Sequence, residues 1–169
     1  VLGQQVSLAA ARTLAGRLAA RLGEPVATPH AGLTHVFPTA ERVARGADGL
    51  ARALGVPSRR AETLAAIARA LARGTLTLHG GDPAEIVEQL ATLPGMGPVT
   101  AHYLAMRALG WPDAFPEGDL GLRKALGGIS GRQARALAER WRPWRAYGAT
   151  HLWTELGARR TARLEGAAR

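Results

Sequence analysis

The chain reads as an all-α protein of two helical lobes, and three observations carry that reading. Leu14, Leu18 and Leu22 recur every four residues, and Leu64, Ile67, Ala68 and Leu71 fall on one face of a second stretch. That is the spacing of helices that bury one side. Around Leu93 to Ala101, helix-stopping and helix-starting residues join two helical segments through a very short turn. The weakly alternating stretch from Thr75 to Leu78 is four residues long and has nothing to pair with, so it reads as extended coil.

Taken in order, the elements follow from local signals. Val1 already falls inside an expected helix, which implies a domain excised from something longer, and the first helix ends at Gly23-Glu24-Pro25. Residues 26–39, rich in Pro, Gly and Thr, read as a loop, followed by short helices near 39–44 and 48–54. Ser58 is expected to cap the next helix. Asp82-Pro83-Ala84-Glu85 then supplies an N-cap, a proline at the first helical position and a glutamate beyond it, opening a helix that carries Ile86, Val87 and Leu90. This helix must stop at Thr92, because Pro94 disfavours helical backbone at Leu93.

Gly95 and Gly97 bracket Met96 in a turn short enough to call for positive φ and close backbone approach, and a second helix restarts at Pro98. The amides of Gly95, Gly97 and the residues after Pro98 then cluster at a helix N-terminus, where unpaired donors and the helix dipole favour an anion such as a nucleic-acid phosphate. An ordinary corner stopped by Pro and Gly has similar punctuation. Beyond it, Gly110 to Asp113 is a break and 114–118 a loop; Asp119 opens a short helix, and Ser130 caps the next through Trp141. Pro143 or Trp144 starts a last helix with Ala149, Leu152, Trp153 and Leu156 at helical spacing. The lobes are expected at 1–111, including the helix-hairpin-helix near 83–109, and at 112–169, with the hairpin on the seam.

Composition narrows the function. The 169 residues make one ordinary domain, and Lys plus Arg of 22 against Asp plus Glu of 13 give a net charge of +9. Such a surplus fits a polyanionic partner, with affinity that falls as salt rises, although an Arg- and Ala-rich background produces a similar excess. With no cysteine the chain has neither a disulfide nor a Cys-ligated cluster. The five histidines, at 30, 35, 79, 102 and 151, lack zinc-site spacing. No apolar run approaches the ~20 residues of a membrane span, and residues from Val1 onward lack a basic n-region followed by an uninterrupted apolar stretch, so cytoplasmic residence is the expectation.

The run Leu-Pro-Gly-Met-Gly-Pro-Val-Thr-Ala at 93–101 is similar to the hairpin of the helix-hairpin-helix DNA glycosylases, and Val1 to Ser7 resembles the opening of their alkylpurine branch. The stretch from Phe115 through Asp119 to Lys124, then 138–147 and His151-Leu152-Trp153, looks like the remainder of a DNA-3-methyladenine glycosylase II. The resemblance implies double-stranded DNA with alkylated bases as partner, a monomer and no required cofactor; the α/β lobe that the family usually carries before this point is expected to lie outside this segment. It also implies Na⁺ or K⁺ at the hairpin, on the backbone carbonyls of Ala91, Leu93 and Met96.

Breaking an N-glycosidic bond passes through an oxocarbenium-like state, so a fixed carboxylate beside the sugar lowers the barrier. Of four aspartates, Asp48 and Asp82 look like caps or turn residues and Asp113 lies in a Trp-Pro-Asp turn. The family's catalytic Asp falls at Asp119, which can also serve as an N-cap; Glu117 is its nearby rival. Members that nick the backbone carry lysine at position 99, where this chain has Val99, so a monofunctional enzyme that leaves an abasic site is implied. Val99, Tyr103 and Trp153 match base-pocket positions, with valine here replacing a Trp of the type member and Thr154 replacing a Tyr. Trp153 also reads as a core aromatic of an amphipathic helix. Gln5 resembles the side chain that enters the gap left by a flipped base, or is simply a polar residue of a first helical turn. Gly95, Gly97, Thr100 and Lys124, the chain's one lysine, are the further DNA-contact candidates. Trp141 and Trp144, flanked by Arg140, Arg142 and Arg145, read as packing residues beneath a solvated basic edge.

Overall fold

The computed structural model describes residues 1–167, and its elements are nine α-helices, one 3₁₀ turn and a single two-stranded ribbon. Two compact units emerge: Val1–Gly80 with Gln89–Met96, and Gly81–Glu88 with Gly97–Arg169. The chain passes between the units at Gly80–Gly81, at Glu88–Gln89 and, inside the hairpin, at Met96–Gly97. No described helix is long and apolar enough to cross a membrane.

In the first unit, α1 (Leu8–Leu22) starts at Ser7, whose hydroxyl oxygen accepts Ala10 N–H at 3.2 Å. Ser7 holds extended backbone, so the helix stops there and residues 2–5 form a turn instead of the expected helical start. The ribbon joins β1 (Glu24–Pro25) to β2 (His35–Val36) in antiparallel register, a short strand pair inside the stretch read as loop. The fold remains all-α. Helices α2 (Ala40–Arg45), α3 (Leu50–Leu54) and α4 (Ser58–Ala72) complete this unit's core, in which Leu14, Leu18, Val43, Leu50 and Leu54 are buried with Ala61 and Ala68. Ser58 is the first helical residue of α4 and not its cap: Pro57 holds that place, with extended backbone and a carbonyl that accepts Arg60 N–H and Ala61 N–H. The alanines of α4, buried at 61, 65 and 68, give α2 a low surface to lie against.

Helix α5 (Pro83–Ala91) opens as expected, Asp82 Oδ1 accepting Ala84 N–H at 2.9 Å, and ends one residue before Thr92. Helix α6 (Pro98–Ala108) begins at the predicted proline.

In the second unit the core is Phe115, Leu122, Ala134, Ala138 and Ala149, bordered by Leu152 and Trp153. It is enclosed by α7 (Leu120–Ala125), α8 (Gly131–Ala138), a 3₁₀ turn at Glu139–Trp141 and α9 (Arg145–Ala167). Ser130 and Gln133 close a reciprocal capping box at the start of α8. The basic edge expected around 140–145 divides. Arg145 is 7% exposed, its Nε and Nη2 donating to Asp113 Oδ1 and Oδ2 at 2.7 and 2.9 Å. Trp141 packs edge-on against Phe115, whereas Trp144 is exposed beside Tyr147. A planar guanidinium can be buried because Asp113 satisfies its fork with two parallel hydrogen bonds, a partnership 32 residues long that local pattern does not reveal.

Candidate active site

Residues 114–119 descend from the buried Phe115 to the first turn of α7, and their backbone is held at several points. Phe115 N–H donates to His102 Nδ1 at 3.4 Å, and Asp119 N–H donates to Pro116 O at 2.8 Å. His102 is stacked on Trp111, and burial is the main cause that lowers its pKa below 6.5. The neutral ring is the form that can accept the Phe115 amide.

Asp119 is the N-cap of α7, and its Oδ1 accepts Leu122 N–H at 2.8 Å. The same oxygen accepts Trp153 Nε1–H from α9 at 2.9 Å. The carboxylate is therefore fixed through Oδ1 by two donors from different helices. Gly121 fits closely here: a Cβ there would lie 3.0 Å from Asp119 Oδ1 and 3.3 Å from Trp153 Cδ1, so both neighbours would have to give by a few tenths of an ångström.

Around this carboxylate the second unit assembles three more of the expected residues. Tyr103, on α6 and half exposed, meets Trp153 edge-on with ring centroids 5.8 Å apart. Val99 packs beneath the 115–119 loop, its Cγ2 2.8 Å from where a Cβ on Gly118 would stand. Both readings of Trp153 hold at once, since it borders the core and also touches Asp119. Lys124 lies exposed on α7, and Thr100 half-buried in the first turn of α6. The other carboxylates are committed elsewhere. Glu117 forms a two-pronged ion pair with Arg135, and Asp113 is held by Arg145 and Arg142.

The hairpin's first half belongs to the first unit. Met96 N–H closes the turn on Leu93 O at 3.0 Å, and Gly95 has φ of +76°. A Cβ on Gly95 would sit 2.0 Å from Thr63 Oγ1, so this residue needs both the backbone freedom and the missing side chain of glycine. Gly97 differs from the expectation: its φ is −75°, an extended N-cap with nothing near a hypothetical Cβ. It leaves the backbone at the start of α6 uncovered.

Gln5 is exposed and does not sit in a helix; its φ of +54° places it in the turn before α1. Its neighbour anchors it. Gln4 O accepts Arg60 Nη2–H at 2.8 Å, and Gln4 Nε2–H donates to Gly95 O at 3.2 Å. Sequence reasoning passed over Gln4, Arg60 and Gly121, because each acts through a contact distant in sequence or through steric clearance.

Among the described residues no group of three or more His, Cys, Asp or Glu side chains is placed to hold a metal. The three hairpin carbonyls are hard oxygen donors of the kind that suit Na⁺ or K⁺, and one of them, Leu93 O, already accepts the turn hydrogen bond.

Residues 1–145 match the model of the HhH-GPD superfamily of base excision DNA repair proteins. The chain is 49% identical over 161 residues to a probable bifunctional transcriptional activator/DNA repair enzyme of Mycobacterium tuberculosis, covering 92% of this chain and 32% of that protein. It is 38% identical over 154 residues to DNA-3-methyladenine glycosylase 2 of Escherichia coli, covering 90% of this chain and 54% of that one. Its structure is similar to the 3-methyladenine DNA glycosylase of Archaeoglobus fulgidus, with a TM-score of 0.74 and 30% identity over 92% of this chain and 55% of the other. The chain thus spans between a third and about half of these relatives' length. On the family match, the hairpin sequence and the capped aspartate together, it belongs to the HhH-GPD superfamily of base excision DNA repair proteins.

Proposed function

We propose that this chain is the base-excising core of a monofunctional DNA glycosylase that hydrolyses the N-glycosidic bond of alkylated purines such as 3-methyladenine and 7-methylguanine. The observation that carries the reading is Asp119, fixed through Oδ1 by two donors, beside the edge-to-face pair Tyr103 and Trp153.

Alkylation at a ring nitrogen makes the purine cationic, so the C1′–N bond breaks with its electron pair leaving on a neutral base. Positive charge develops on the sugar, and the preset Asp119 carboxylate stabilises it with little reorganisation. Water then adds to C1′ and gives up a proton, which the carboxylate can accept on its way to solvent, leaving an abasic site. Val99 offers no amine, so strand cleavage through a Schiff base has no nucleophile at that position. The aromatic faces of Tyr103 and Trp153 suit an electron-poor ring.

Duplex DNA is the partner this reading requires, in keeping with the net charge of +9. Gly95, Gly97 and Thr100 at the hairpin and Lys124 on α7 would meet phosphates, and the exposed Gln5 would fill the gap of the extruded base. A monovalent ion on the carbonyls of Ala91, Leu93 and Met96 would add positive charge beside such a phosphate. A protein of this kind works on the nucleoid, in the cytoplasm.

Asp119→Asn tests the assignment. Asparagine still caps α7, so folding and affinity for abasic-analogue DNA should be retained while base release falls by about 10²- to 10³-fold. Equal base release by the variant would refute the role of Asp119.

A further inference from the structure

We infer that Trp153 acts on the reaction through its N–H edge, as a positioning residue for Asp119, and that Gly121 is the clearance that lets it do so. This rests on the glycosylase reading above. An aromatic wall needs only a ring face, and phenylalanine would supply one. The structure does more: the indole reaches across from α9 to donate to Asp119 Oδ1 at 2.9 Å, on the same oxygen that accepts the α7 amide of Leu122. Two donors converging on one oxygen fix the carboxylate's rotation about its last bond, and with it the direction of Oδ2. Without the indole N–H, the Leu122 amide still holds Oδ1 but one donor leaves the carboxylate free to swing.

Trp153 is itself held for this task. It borders the buried core of Phe115, Leu122 and Ala149, and Tyr103 meets it edge-on at 5.8 Å. The start of its helix is pinned by the buried Arg145–Asp113 pair and by Ala146 N–H donating to Pro112 O at 2.9 Å. A side chain at 121 would crowd both partners, a Cβ lying 3.0 Å from Asp119 Oδ1 and 3.4 Å from Trp153 Nε1. A glycine in the first turn of a helix is otherwise unfavourable, and this clearance accounts for it.

Trp153→Phe keeps the face and removes the donor, and Trp153→Ala removes both. Under the positioning account, single-turnover base release from methylated duplex falls by about 10- to 100-fold in Trp153→Phe, the range of one hydrogen bond to a charged group, with half-saturating DNA concentration unchanged. Under a wall-only account Trp153→Phe releases base at the parental rate and only Trp153→Ala is impaired; that result would overturn the inference. A second readout does not depend on turnover. The Trp153 indole ¹⁵N–¹H resonance of the parent should lie downfield and move upfield in Asp119→Asn, where the acceptor is uncharged; an unmoved resonance would also overturn it. If the parent chain releases no base at all, the glycosylase reading fails, and the indole resonance then decides the hydrogen bond by itself.

Discussion

Replacing Gly95 by alanine isolates what the hairpin demands of its backbone. At φ of +76° an L-residue costs about 1–2 kcal/mol relative to glycine. The new Cβ would also stand 2.0 Å from Thr63 Oγ1 and 3.2 Å from Thr63 Cβ. Thr63 cannot yield cheaply: it is 1% exposed, and its hydroxyl donates to Arg59 O at 2.9 Å. Relief must come from the hairpin moving or from Thr63 abandoning that bond, an overpacking cost of about 1–3 kcal/mol. The sum is about 3 kcal/mol, which for a chain of this size lowers Tm by about 6–12 °C. Thermal unfolding followed by circular dichroism reads it directly. Adding Thr63→Ala should return the clash component and leave the backbone component, so the two substitutions are strongly non-additive. A Gly95→Ala protein as stable as the parent, or a double variant as unstable as the sum of the singles, would refute the reasoning.

Three further outcomes follow from the same geometry. Gly97→Ala meets no neighbouring atom and has an ordinary φ, so its Tm should match the parent, while its affinity for duplex DNA, read by fluorescence anisotropy, falls because the methyl group covers the backbone a phosphate would approach. Asp113→Ala leaves the buried Arg145 guanidinium with Glu139 as its remaining acidic partner and should cost about 3 kcal/mol in a denaturant titration. His102 titrates below 6.5 because burial disfavours its charged form, so the unfolded chain takes up that proton first as pH falls. Stability measured from pH 7 downward should therefore decline below 6.5, and His102→Asn, which keeps an acceptor for Phe115 N–H, should flatten that decline.

What could be read from sequence was local. Asp82-Pro83, Pro98, Asp119 and Ser130 announce helix starts through chemistry within four residues, and each begins or caps a helix in the structure. The same kind of signal misled at Ser58, where Pro57 already had extended backbone and a free carbonyl to open the helix. At the N-terminus, Ser7 capped α1 and left Gln5 in a left-handed turn, a competition between helix and cap that apolar spacing does not resolve. The site shows the same division. Asp119 could be singled out because the resemblance to the helix-hairpin-helix glycosylases puts their catalytic aspartate at that place after the hairpin. Its hydrogen bond from Trp153, 34 residues away, depends on how α9 lies over α7. Arg145 was misjudged for a related reason: arginine next to arginine suggests a solvated edge, and only the position of Asp113 across the core makes burial affordable.

The most direct measurement is to incubate methylated duplex DNA with this chain, identify the free bases by mass spectrometry and run the remaining DNA on a denaturing gel. The account predicts release of 3-methyladenine or 7-methylguanine with the strands unbroken until alkali is added, and greatly reduced release by Asp119→Asn. No base release, or strand scission without alkali, would contradict it.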